Sequence, residues 1–203
     1  MKITGLKQQA SQPSRYSVYV DDRFSFGLSA SAVLDSKLVI GEEVDDARLQ
    51  ELQSLSANDK AYNNVLRYVT MRQRSEWEVT TYLRRKAVSK DLAEDIIARI
   101  KALNLQDDLT FARAWVANRR LLKATSRRRL VQELRQKHVS EEVIDIVLAE
   151  DETDESQVLR ELVTRKRKIP RYRDNLKLMQ YLARQGYNYE AIKIVLAEED
   201  EAA

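Results

Sequence analysis

The chain contains no cysteine, which excludes disulfides, thiolate metal sites and thiol nucleophiles. A single histidine, His138, leaves no material for a paired-histidine metal centre. It lies between two helical stretches and reads as a turn residue. Four glycines and two prolines are too few for a turn-rich β protein. The phosphate-cradling patterns G-x-x-x-x-G-K-[ST] and G-x-G-x-x-G are absent, as is the nucleophile elbow G-x-S-x-G. No apolar run nears the roughly 20 residues that span a bilayer. The opening "MKITGLKQQASQPSRY" lacks the apolar middle of a signal peptide. These absences point to a soluble, cytoplasmic, non-enzymatic protein with no cofactor, no catalytic residues, no metal site and no membrane partner.

What is present is charge and helical periodicity. One third of the 203 residues are charged, yet the net charge is only +3. The charge is sorted along the chain. Between Arg119 and Lys137 stand eight basic residues and one acid, and from Glu141 to Glu155 stand eight acids and no base.

The chain also repeats itself. "IDIVLAE" at Ile144–Glu150 returns as "IKIVLAE" at Ile192–Glu198, 48 residues later. Extended backwards, "LRQKHVSEEVIDIVLAE" from Leu134 matches "LARQGYNYEAIKIVLAE" from Leu182, and an earlier copy, "LRRKAVSKDLAEDIIARI", starts at Leu83. Each copy reopens a helix at Ser89, Ser140 or Asn188, residues whose side chains accept first-turn N–H groups. Leu92, Ile96, Ile100 and Leu103 then fall on one apolar stripe, as do Val143 with Val147 and Ala191 with Val195. Eight residues before each shared leucine stands another cap, Ser75, Ser126 or Asp174. Ser75 with Glu78 forms a capping box. A further helix precedes each cap, at about 61–71, 109–121 and 157–167.

The fold class expected is mainly α: three tandem three-helix repeats in an elongated curved array, with a small N-terminal β-hairpin extension. The divisions are 1–56 for the extension, carrying a β-hairpin and a short helix at about 46–55, then repeats at 57–108, 109–156 and 157–203. The hairpin reading rests on the alternation of Tyr16, Val18 and Val20, a turn at Asp21-Asp22, and Phe24, Phe26 and Leu28. Such an array needs no second copy to fold, so a monomer is expected. Trp77 and Trp115 fall on apolar helix faces and read as packing residues, and Asp107-Asp108 read as acids favouring the start of the helix that follows.

The candidate site is basic. Arg119, Arg120, Lys123, Arg127, Arg128 and Lys137 surround one helix junction, Arg165, Lys166, Arg167 and Lys168 the same junction of the next repeat, and Arg72 and Arg74 that of the first. A periodic cationic edge suits a polyanion or a polymer of acidic subunits.

Several segments resemble one family. "RQRSEWEVTTYLRRK" (Arg72–Lys86) is similar to the R-x-R-S-x-x-E-L…L-x-x-K-G segment of RecX, the bacterial regulator of the RecA recombinase. "LNLQDDLTFARAWVANRR" (Leu103–Arg120) resembles that family's L-x-D-x-x-F-A-x-x-W-x-x-x-R segment, and "LVQELRQKHVSEEVIDIVL" its second E-L-x-x-K-G-[IV] turn. The glycine usual after the turn lysine is here Ala87 and His138; Gly186 keeps it, following Gln185. The resemblance implies tandem three-helix units. It also implies a non-enzymatic regulator that binds RecA–DNA filaments and depresses ATP hydrolysis, strand exchange and repressor cleavage, with a role in DNA repair and the SOS response. On it, the basic residues meet filament acids or phosphates of single- or double-stranded DNA. The residues alone leave two other readings open: a general DNA- or RNA-binding helical-repeat protein, and a protein-binding scaffold without nucleic-acid contact.

Overall fold

The computed structural model describes residues 1–201, with side chains through Glu199. Three strands, β1 (Ile3–Gln9), β2 (Gln12–Val20) and β3 (Arg23–Ser29), form an antiparallel sheet in the order β1-β2-β3. Helices follow: α1 (Ala30–Ser36), α2 (Asp46–Thr70), α3 (Glu76–Arg85), α4 (Lys90–Ala102), α5 (Asp108–Leu122), α6 (Arg127–Gln136), α7 (Glu141–Ala149), α8 (Glu155–Arg167), α9 (Asn175–Arg184) and α10 (Tyr189–Glu201). The chain divides into two compact units, Met1–Arg72 with Thr81–Ile100, and Gln73–Thr80 with the residues from Lys101 onward. The protein is mainly helical with a small N-terminal sheet.

The β2–β3 turn is at Asp21-Asp22, both left-handed at φ 45° and 63°, as a two-residue hairpin requires. The sheet has one strand more than the alternation indicates. The polar "LKQQ" of β1 hides a buried anchor, Ile3, which joins Val18, Val20, Phe26, Leu28 and Leu52 in one core.

The helices expected at about 46–55 and 61–71 are one 25-residue helix, α2, and the division at 56/57 falls inside it. No proline or glycine interrupts the segment, so nothing forces a break. Asp59, a weak helix former, is drawn inward instead. Its carboxylate accepts from Ser29 N (2.9 Å), Ser29 Oγ (2.5 Å), Arg15 Nη1 (3.2 Å) and Asn63 Nδ2 (2.7 Å), tying the sheet to the helix.

The repeats have matching parts. Leu83, Leu134 and Leu182 are all buried. Ser75, Ser126 and Asp174 cap the middle helices, accepting from Glu78 N, Arg129 N and Lys177 N. Each middle helix ends in one left-handed residue: Ala87 (φ 55°), His138 (φ 55°) or Gly186 (φ 92°). The next N–H in each case bonds the shared leucine's carbonyl at 3.2–3.3 Å, as Val88→Leu83, Val139→Leu134 and Tyr187→Leu182, a Schellman closure. A left-handed alanine costs about 1 kcal/mol or more over glycine. Ala87→Gly is therefore expected to stabilise the protein by about 1 kcal/mol, read as a higher urea midpoint at unchanged slope. Leu103 departs from its expected stripe: α4 ends at Ala102, Asn104 turns left-handed, and Leu103 is exposed.

Candidate cationic surface

In the second and third repeats, the first helix sends two arginines to acids at the end of the third helix. Arg113 pairs with Glu150 at 2.6 Å, and Arg160 with Glu198 at 2.9 Å. Arg120 pairs with Asp151 at 2.6 Å, and Arg167 with Glu199 at 2.9 Å. The second arginine also closes the following connection: Arg120 donates to Thr125 O at 2.5 Å, and Arg167 to Tyr172 O at 3.3 Å. In the first repeat the places of Arg113 and Glu150 are taken by Tyr62 and Arg99, with the guanidinium 3.9 Å from the ring centre. The places of Arg120 and Asp151 are taken by buried Val69 and Ile100. Two slots are thus each filled by an ion pair in the later repeats and by another chemistry in the first, a cation over a ring in one and apolar side chains in the other.

A second set of contacts recurs. Asp107 caps its own helix α5, accepting from Thr110 N at 2.7 Å. Hydrogen bonding from the Thr110 side chain, and then from its backbone N–H, holds the Asp107 carboxyl below the usual range. Asp108 instead accepts from Glu76 N at 2.8 Å, capping α3. Burial pushes its carboxyl up against these bonds. One turn of the pattern later, Glu155 accepts from Arg127 N at 2.7 Å. Likewise Lys137 donates to Glu78 at 2.7 Å, and at the matching places Arg129 donates to Gln185 Oε1 at 3.2 Å. His138 stacks on Trp77 with ring centres 4.6 Å apart, where the next copy sets Gly186 against Ser126 and Arg129. Tyr187 donates to Ala124 O at 3.0 Å, and burial pushes its phenol up to about 12. A turn after one middle helix therefore docks on the start of the preceding middle helix, twice.

Against this frame the twelve candidate cations separate. Arg119 bonds Glu133 at 2.6 Å, lies 4.5 Å from the centre of the Trp115 ring, and shares Glu133 with Trp115 Nε1. Lys137 lies 5.2 Å from the same ring centre. Arg120 and Arg167 are held as above, and Arg167 also bonds Asn175. Arg127 donates to Leu148 O at 2.7 Å. Lys166 lies 4.7 Å from the centre of Tyr181. Arg72 is exposed and Arg74 half-buried in the α2–α3 connection. Lys123, Arg128, Arg165 and Lys168 are exposed; among the described residues none of their side chains takes part in an ion pair or hydrogen bond. Lys123 and Lys168 are each the C-cap residue of their repeat's first helix, three residues beyond Arg120 and one beyond Arg167.

Trp115 packs as expected. Trp77 does not: it is 38% exposed and covered on one face by His138. The paired arginines 113 and 160 stand outside the expected cluster, and only their acidic partners, 37 and 38 residues away, would reveal them. No group of histidine, cysteine or acidic side chains among the described residues is placed to hold a metal, and no described helix is long and apolar enough to cross a membrane.

Three-helix repeats that follow a small sheet along the chain, with cations on helix ends, define a helical-repeat protein. Family models agree on which one. The regulatory protein RecX N-terminal domain matches residues 1–45, the RecX first three-helix domain 61–99 and the second 107–148. The chain belongs to the RecX family of regulatory proteins. It is 25% identical to regulatory protein RecX of Bacillus subtilis, over 96% of this chain and 75% of that protein. It is 27% identical to the Bacillus pumilus protein of the same name, over 97% and 76%. A crystal structure of regulatory protein RecX shares its fold at TM-score 0.70, with 23% identity over 97% of this chain and 98% of that one. RecX from Lactobacillus salivarius aligns at TM-score 0.61 and 23% identity, over 70% of this chain and 96% of that one.

Proposed function

We propose that this protein is a non-enzymatic regulator that binds the DNA filament of a RecA-type recombinase and lowers its ATP hydrolysis, strand exchange and stimulation of repressor cleavage. The reading places it in the cytoplasm. The observation that carries it, beyond family membership, is the set of four projecting cations: Lys123 and Lys168 as C-caps of the first helices of successive repeats, with Arg128 and Arg165 nearby in sequence. Cations spaced by a repeat suit a partner that is itself a repeating polyanion or acidic polymer. Arg119, Arg120, Lys137 and Arg167 serve that surface indirectly, by fixing the helix ends that carry it.

The test is DNA-dependent ATP hydrolysis by the recombinase of the same organism, titrated with this protein at physiological salt. Inhibition is expected far below the concentration that coats the DNA. Inhibition only at saturation would mean competition for the lattice and would sink the reading. Reversing Lys123, Arg128, Arg165 and Lys168 to glutamate should raise the half-inhibiting concentration roughly tenfold or more, by loss of electrostatic attraction, with the helical circular dichroism unchanged. Arg127 is a poor choice for reversal, since its side chain holds Leu148 O.

A further inference from the structure

The N-terminal unit carries a groove that the cationic surface does not use. It has a volume of about 680 Å³ and lies between the β2–β3 face and α2. On its helical side are Lys60, Asn63, Asn64 and Arg67, spaced i, i+3, i+4 and i+7, which makes them one stripe of the helix. A stripe facing a sheet is ordinarily apolar; this one is cations and amides. Phe26 is buried at the floor, while Phe24 stands at the wall 61% exposed, with the Tyr19 ring edge-on to it at 6.2 Å between centres.

The polar groups of the groove are only partly spent within the protein. Arg15, also on the wall, is neutralised by Asp59 and donates to Gly27 O. Lys60 has no ion pair among the described residues, and Arg67 donates only to Asn64 Oδ1 at 2.7 Å. Asn63 uses its Nδ2 on Asp59. An acceptor on Asn63 and a donor on Asn64 are thus left side by side, the pair of groups that a base edge needs. No carboxylate lines the groove, although residues 1–56 carry 8 acids against 6 bases. Seven residues of helix separate Lys60 from Arg67 by about 10 Å along the axis, a spacing for an extended anion more than for one phosphate.

From these groups we infer that the groove binds a nucleotide, with the base against Phe24 and the two amides and phosphate oxygens on Lys60 and Arg67. The ligand is either a free nucleoside phosphate or a unit of a single strand. An exposed aromatic beside cations is how base stacking and phosphate attraction combine in single-strand sites. This goes beyond the filament reading, and its test contains no recombinase, so the two can fail separately.

The test is fluorescence anisotropy of a labelled oligodeoxythymidylate titrated with the full chain over a range of salt concentrations. Reversing both Lys60 and Arg67 to glutamate should weaken binding at least tenfold. It should also flatten the slope of log affinity on log salt by about 1.4, the value for two single-strand phosphates. Phe24→Ala should weaken binding about 5- to 100-fold, the loss of one stacked base, and leave that slope unchanged. All three positions are at least partly exposed, and circular dichroism checks that the variants fold. Competition by thymidine triphosphate would identify the free nucleotide as sufficient; failure to compete would identify the strand. The proposal is overturned if the oligonucleotide does not bind, if the variants keep wild-type affinity and slope, or if polyglutamate binds as well and loses as much in the same variants.

Discussion

Arg120→Ala is expected to destabilise the protein by about 3–5 kcal/mol, the usual result of removing one partner from a buried ion pair. The Arg120 side chain is 12% exposed and that of Asp151 8%. Without the guanidinium, Asp151 keeps only the bonds from Thr153, and Thr125 O loses its donor. The first repeat supplies the control. There the same slot holds Val69 and Ile100, so Arg120→Val combined with Asp151→Ile should recover most of the loss. A double variant as unstable as the single one would mean that the slot does not accept the first repeat's solution.

The pair also predicts a pH dependence. Burial pushes the Asp151 carboxyl up, but hydrogen bonds from Arg120 and Thr153 and the Arg120 charge outweigh it, leaving it below the ordinary 3.8. A carboxylate held low when folded adds stability above its unfolded value and loses it as pH falls through the folded one. The gap between wild type and Arg120→Ala in urea midpoint should therefore be full at neutral pH and close below about pH 4. A gap constant down to pH 2 would show that packing, not charge, carries the effect.

Gly186→Ala is expected to cost roughly 2–6 kcal/mol, from ~1–3 of backbone strain and ~1–3 of overpacking. Its φ is +92°, and a β-carbon there would stand 2.6 Å from Ser126 Oγ. That oxygen is not the far end of a flexible side chain. It caps α6 and donates to Gln185 O at 2.8 Å. The damage should be local: amide exchange should accelerate in α9 and α10 before it does in α5–α7. In a Ser126→Ala background the steric part of the penalty disappears and the strain remains, so the two costs should add to less than their sum. Strict additivity would mean that the turn does not bear on α6.

The repeats were legible because they are written as matching letters, and caps such as Ser75, Ser126 and Asp174 are local chemistry. α2 was not, because Asn58 and Asp59 look like a break until Ser29 and Arg15, 30 and 44 residues away from Asp59, are seen to hold its carboxylate. β1 was missed for a similar reason, its one buried side chain being Ile3. At the cationic surface, the sequence showed the cluster but not its partition. Arg128 and Arg127 are neighbours of identical chemistry, and only the position of Leu148 O separates the one that is held from the one that projects.

Asp108 and Glu155 occupy matching places, as do Lys137 with His138 and Gln185 with Gly186. A chain joined this way can change length in whole steps. Excising Asp108–Asp154 would bring Glu155 to the N–H of Glu76 and the Gln185-Gly186 turn to Glu78 and Trp77, with the carboxylate cap remade in kind and the turn contact changed from lysine and histidine to glutamine and glycine. Length is then a counted quantity, and such a chain can gain or lose a repeat without redrawing the surface of any other.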